Sequence, residues 1–244
     1  MERLFGGRHT AATGAHGADF RSAISSGNDF VRRPVLAGPP VRGPCAPSRD
    51  ALRNQLRTKI KIMNPAERAV LVEKLRASRD ALVAGLDGTS ELQAKFKPSP
   101  DAWSIEEIVE HLALAENGMY RLMTAYSEPS ESKSDSMREE TFEKLGTDRR
   151  RKIGAPERVR PTGRYGSLAN ALNQFLANRD RTMVYVDRCQ EDLRMRITTH
   201  PLGSISCREC VALMIGHPLQ HLEQIREVQA CPAFPSPGPR PADS

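Results

Sequence analysis

From residue 65 to residue 229 the chain alternates long stretches whose apolar residues recur every three or four positions with polar stretches rich in Gly and Pro. That spacing lays apolar side chains on one stripe of an α-helix, so each stretch predicts an amphipathic helix facing a shared core. A first helix is expected from Pro65 to Leu86, with Val70, Leu71, Leu75, Leu82 and Leu86 on its stripe. Asn64 is its N-cap, Pro65 occupies the first helical position, Glu67 falls in the first turn and Gly88 stops it. A second starts at Ser104, where Glu107 three residues on makes a capping box, and carries Ile108, His111, Leu112, Ala115, Met119 and Leu122. A third spans about Ser167 to Cys189, with Leu168, Leu172, Phe175, Leu176, Met183 and Val186 on its stripe. A fourth runs from Ser206 to Gln229, opened by a second capping box of Ser206 and Glu209, with Leu213, Met214, His217, His221, Gln224 and Ile225 along one side.

The segments between are polar. Pro98 and Pro100 mark a loop before Trp103, the only tryptophan, which reads as a core anchor at the end of the bundle. Residues 127–166 hold a short helix around Arg138–Leu145 and then a basic loop, Arg149-Arg150-Arg151-Lys152, followed by Arg158, Arg160 and Arg164. A turn is expected at His200-Pro201-Leu202-Gly203. No segment reads as a strand, and no repeat is visible. The expectation is an all-α protein, an up-down four-helix bundle with a long crossover between the second and third helices.

Composition agrees with helices: aromatic residues are only 5% of the chain. The net charge of +6 at first suggests a nucleic-acid partner. Its distribution argues otherwise. Residues 1–62 hold 11 Lys and Arg against 4 Asp and Glu, a net of +7, whereas the other 182 residues hold 25 against 26, a net of −1. The basic excess belongs to the leader, and no nucleic-acid partner is expected for the body. Rich in Gly, Ala, Arg, Ser and Pro, residues 1–62 read as a disordered or mis-called N-terminal extension, with a transit peptide as the other reading. Met63-Asn64-Pro65-Ala66-Glu67 is itself a helix opening, which favours Met63 as the start of a domain spanning 63–230, followed by a disordered Pro-rich tail at 231–244. Five scattered cysteines make no disulfide framework, so a cytoplasmic setting is the expectation. No apolar run approaches the roughly 20 residues of a membrane helix, and no membrane partner is expected.

Candidate chemistry centres on histidine. His217 and His221 are four residues apart on a helix, which places them roughly 6 Å apart on one face. His111 sits among Ile108, Leu112 and Ala115 on the apolar side of another helix. Any one of these could be a core histidine with a hydrogen-bond partner. Three imidazoles in one helical core are costly unless they have such partners or share a metal ion, and three histidines leave coordination sites open, as catalytic centres do. Pro218 directly follows His217: it cannot donate to the carbonyl of Met214 and its ring crowds that turn, while Gly216 eases distortion, so a kink beside the site is expected. His9 and His16 lie in the leader and His200 in a turn.

Two stretches resemble a known family. Trp103-Ser104-Ile105-Glu106-Glu107-Ile108-Val109-Glu110-His111-Leu112-Ala113 looks like the second-helix signature of DinB/YfiT-like four-helix-bundle proteins. His200-Pro201-Leu202-Gly203, then Cys210 and His217-Pro218-Leu219-Gln220-His221-Leu222-Glu223-Gln224-Ile225, resemble its C-terminal segment. The likeness covers about residues 67–229. It implies a DinB-type bundle with a Ni²⁺ or Zn²⁺ ion on His111, His217 and His221, and a small-molecule substrate. It also implies an activity such as S-transfer with a low-molecular-weight thiol (bacillithiol or mycothiol), isomerisation of maleylpyruvate, or metal-dependent hydrolysis.

Other residues compete for roles. Glu107, one turn before His111, could orient the ring or act as a base, though its capping-box position explains it structurally. Gln224 could reach the substrate or support His221, or bond between helices. Glu110 and Glu116 read as members of solvated faces. Cys207-x-x-Cys210 at a helix start could be a dithiol with lowered thiol pKa, but Cys207 is about 15 Å before His217 along the helix, too far to share an ion. The Arg149–Arg164 cluster reads as a solvated loop or an anion site. Two functions follow: a divalent-metal-dependent enzyme, either a thiol S-transferase or a small-molecule hydrolase, and a non-catalytic bundle whose histidines serve stability or homodimerisation.

Overall fold

A computed structural model of the chain describes residues 62–131, 136–148 and 154–236. The expectations for the leader, for Arg149–Lys152 and for residues 237–244 lie outside them. Helix α1 (Pro65–Leu86) begins where Asn64 accepts a hydrogen bond from Ala66 N–H, 2.9 Å away. It ends before Gly88, whose φ of +71° is the left-handed conformation that closes a helix. A short α2 (Glu91–Lys95), which the apolar pattern does not signal, carries its own capping box from Ser90 and Gln93. Helix α3 (Ile105–Ala125) opens on the Ser104–Glu107 box. After a two-residue β1 (Glu128–Pro129) come α4 (Ser136–Thr147), a single 3-10 turn at Glu157–Val159, and α5 (Leu168–Arg188). Strands β2 (Arg196–His200) and β3 (Gly203–Ser206) precede α6 (Cys207–Gln229), whose start is capped by Ser206 and Glu209 as expected.

The four long helices form the bundle. Helix α1 packs on α5 and α6, and α3 packs on the same two, so α1 and α3 face each other across the diagonal. His111 on α3 and the histidines on α6 are thereby on adjacent helices. The core has two apolar clusters. One gathers Leu71, Leu75, Met123, Met183, Val186, Met214 and Ile215; the other gathers Leu82, Ile108, Leu112, Phe175 and Ile225. Val70, expected on the stripe of α1, faces solvent. Between the clusters lie polar residues, Ser78, Glu116 and Arg179, all buried.

Three expectations are corrected. The fold is not free of strands: β1, β2 and β3 form an antiparallel sheet in that order, with Ile197 opposite Ser206 and His200 opposite Gly203. These strands are short and show no apolar alternation, and only pairing through the Pro201-Leu202 turn reveals them. The tail does not begin at 231: Phe234 packs edge-to-face on Phe96 at 5.5 Å, and Gln93 donates to the carbonyl of Pro235 at 2.9 Å. Glu110 and Glu116 are not on solvated faces, being 1% and 4% exposed.

Helix α4 lies along α6, and its close approach rests on two glycines. A Cβ on Gly216 would stand 2.6 Å from the carbonyl oxygen of Glu143 and 2.9 Å from the Cα of Gly146. Arg194 draws Glu139 of α4 and Glu67 of α1 together in a half-buried ion cluster with Arg208 behind it. Among the described residues no helix is long and apolar enough to cross a membrane.

Candidate metal centre

Residues 106 positions apart in the chain meet here. His111 projects from α3, and His217 and His221 lie one turn apart on α6; the nitrogens each can offer all lie within 4.8 Å of one another. Nε2 of His217 stands 3.3 Å from Nε2 of His111 and 3.1 Å from Nε2 of His221. The back of each outer ring is tied. Nδ1 of His111 donates to the carbonyl oxygen of Val159 at 2.8 Å, and Nδ1 of His221 donates to Oε1 of Gln224 at 2.8 Å. A neutral imidazole with its proton on Nδ1 carries a lone pair on Nε2. His111 and His221 therefore aim lone pairs at the same nitrogen of His217, which has at most one proton to share between them.

Burial decides the charge state. It pushes the His111 imidazole below its ordinary pKa, only partly offset by Val159. Burial also pushes His217 well below it, helped by the neighbouring histidines and by Arg179. Neutral rings are the form that binds a metal. Metal–nitrogen bonds of roughly 2.0–2.1 Å at octahedral to tetrahedral angles separate adjacent nitrogens by about 2.8–3.4 Å, and the two spacings to His217 fall in that range. The donor set fits a divalent ion.

Pro218 does not break α6, which continues through it from Cys207 to Gln229. Trp103 forms a wall of the site: its ring is centred 5.0 Å from that of His111 and stacks at 6.5 Å on His221. It also packs against the second apolar cluster, so the core-anchor reading holds in part. Glu107 is spent on the helix start: one carboxylate oxygen accepts from Ser104 N–H at 2.8 Å, and the other lies 2.9 Å from Lys97 Nζ.

Glu110, adjacent to His111, accepts from the backbone N–H groups of Thr162 and Gly163, both at 2.8 Å. The 3-10 turn and the loop after it are thus bound to α3 by two successive side chains, His111 at Val159 and Glu110 at Thr162 and Gly163. Nothing in the spacing of residues signals this, because a carboxylate on a helix face looks solvated until a loop covers it.

Cys207 and Cys210 are fully buried, and burial pushes the Cys207 thiol up to about 11 and that of Cys210 well above its ordinary value. Burial raises both thiols, against the low-pKa dithiol that a helix start would suggest. Of the basic residues on the long loop, Arg164 pairs with Glu110 at 3.6 Å, and Arg160 donates to the carbonyl of Ala155. His200 is held by its own turn, its Nδ1 accepting from Leu202 N–H at 3.2 Å.

A family model of the DinB superfamily matches residues 74–225. The chain belongs to the DinB superfamily. That match runs from the middle of α1 to just past the histidine pair, so the superfamily's domain includes every residue of the centre. The uncharacterized protein YuaE of Bacillus subtilis (strain 168) is 26% identical over 148 residues, 59% of this chain and 88% of the relative. YfiT of Bacillus subtilis, described as a probable metal-dependent hydrolase with an unusual four-helix bundle topology, superposes with a TM-score of 0.44 at 14% identity, over 68% of this chain and 88% of its own.

Proposed function

We propose that this DinB-superfamily protein is a divalent-metal-dependent enzyme whose ion, Zn²⁺ or Ni²⁺, is held by His111, His217 and His221, and which transfers a group of a small molecule to water or to a low-molecular-weight thiol. The observation that supports it most directly is the convergence of three Nε2 atoms, two of them committed as lone pairs by Val159 and Gln224. A divalent ion with open coordination positions supplies Lewis acidity, which lowers the pKa of a water or thiol and so serves hydrolysis and S-transfer alike.

The chain's own residues do the rest. Val159 and Gln224 hold the His111 and His221 rings in one tautomer, the task that partners behind ligand histidines perform. Trp103 closes one side with an apolar face, excluding water and offering a surface on which a planar substrate can stack. Both carboxylate oxygens of Glu107 are engaged at the start of α3, one by Ser104 N–H and the other by Lys97.

Metal analysis of untagged protein tests the centre. About one equivalent of Zn or Ni in the wild type, lost in His111→Ala with helix content preserved, supports it; unchanged metal in that variant overturns it. Activity is then sought with electrophiles in the presence and absence of thiols. One observation favours a second reading, a non-catalytic metal-stabilised bundle: three carboxylates of α3, those of Glu107, Glu110 and Glu116, serve structural bonds. Chelation that lowers the melting temperature, with no turnover in any screen, would select it.

A further inference from the structure

Helix α6 has a proline where its histidine pair begins. Pro218 has no N–H to give the carbonyl oxygen of Met214, four residues earlier. A carbonyl at that depth without a donor is costly. The donor comes from another helix: Nη2 of Arg179, on α5, lies 2.8 Å from Met214 O. Arg179 is completely buried. Its Nε and Nη2 grip both oxygens of Glu116 at 2.8 and 2.9 Å, and its Nη1 donates to Leu75 O at 2.9 Å and to Ser78 Oγ at 2.8 Å. Each of the five guanidinium N–H groups thus has an acceptor, and the acceptors lie on α1, α3 and α6.

A buried ion pair of this kind is weak evidence for stability, since apolar residues of similar volume often serve as well. An apolar residue at position 179 would leave Met214 O without a partner. The turn from Met214 to His217 is also held from its other side, where Gly216 lies against the backbone of α4.

We infer that Arg179 is a positioning residue for the metal centre: it replaces the backbone hydrogen bond that Pro218 removes, and so sets the turn of α6 from which His217 projects. This rests on the three-histidine centre proposed above. It adds a dependence on α5, a helix that contributes no ligand.

The specific consequence is a coupling between positions 179 and 218. Replacing Pro218 by alanine restores an N–H for Met214 O and makes the Arg179 bond redundant. The experiment measures Zn²⁺ affinity, by competition with a chromophoric chelator, for the wild type, R179K, P218A and R179K/P218A, with circular dichroism confirming folding and Co²⁺ absorption reporting ligand geometry. With Pro218 in place, R179K is expected to weaken Zn²⁺ binding by about 10-fold, the scale of losing support behind a ligand, and to alter the Co²⁺ spectrum. In the P218A background the same change is expected to leave affinity and spectrum near those of P218A alone. An equal loss in both backgrounds makes Arg179 merely structural and overturns the inference, as does no loss in either. If R179K does not fold, E116Q, which loosens Arg179 without deleting it, is read by the same comparison. Wild-type protein that binds no Zn²⁺ overturns the centre itself, a result distinct from any of these.

Discussion

His111 donates its Nδ1 proton to the carbonyl oxygen of Val159, 2.8 Å away, across a loop that Glu110, its neighbour in sequence, clamps to the same helix. One residue of α3 thus holds the loop and the next uses it. The ring orientation of His111, the ligand proposed on α3, is set by a loop whose described part holds one 3-10 turn and which Glu110 bonds to α3 through Thr162 and Gly163.

Glu110→Ala should therefore disturb the site from one residue away. It leaves the N–H groups of Thr162 and Gly163 without their acceptor, a loss of about 1–3 kcal/mol in chemical denaturation. Hydrogen exchange at those two amides should accelerate, and metal affinity should fall by about 10-fold as the Val159 carbonyl loses its fixed place. Unchanged protection at Thr162 and Gly163 would show that the loop is held by something else.

Trp103, the only tryptophan, reports directly on the centre. Its ring lies 5.0 Å from that of His111. Titration of metal-free protein with Ni²⁺ or Co²⁺ is expected to quench its fluorescence with a stoichiometry near one, and His111→Ala should abolish the response. Quenching that persists in that variant would place the ion elsewhere.

The stability of metal-free protein should depend on pH through the same rings. Burial holds His111 and His217 below the 6.5 of an unfolded histidine. As pH falls past about 6.5 the unfolded chain takes up protons first, so the histidine contribution is fully present above that value and is lost progressively below it. Melting temperatures of chelator-treated protein between pH 8 and pH 5 should show a plateau and then a decline. His217→Gln should flatten the decline, and an equally steep profile in that variant would count against the assignment.

Two glycines should respond in opposite directions to the same change. Gly216→Ala drives a Cβ into the backbone of Glu143 and Gly146, atoms that cannot rotate aside, so α4 must lift from α6 at a cost of about 1–3 kcal/mol or more. Gly118→Ala, in α3, meets nothing within 4 Å and should stabilise the helix by about 0.5–1 kcal/mol. Thermal denaturation of the two variants side by side checks both signs, and a neutral Gly216→Ala would mean that α4 packs less closely than its glycines indicate.

The helices and their starts were legible in the sequence because what makes them is local. Asn64, Ser104 and Ser206 bond to N–H groups two or three residues away, and an apolar stripe repeats every turn, so the starts of α1, α3, α5 and α6 could be placed within a residue or two. His111, His217 and His221 could be singled out for the same reason: one pair shares a helix face, and the third sits on an apolar stripe. Partners far apart in the chain were not legible. Glu110 and Glu116 read as solvated because a carboxylate's surroundings are set by whatever covers it, here a loop more than fifty residues on and Arg179 on α5. The short strands exist only as pairings. Cys207 and Cys210 could be weighed as a dithiol from their place at a helix start, and only the packing around them shows that both are buried. Pro218 shows the division most directly: the sequence established that Met214 O would lack its helical donor, and only the packing of α5 on the bundle supplied Arg179 in its place, because a missing backbone N–H is a local fact and its replacement a tertiary one.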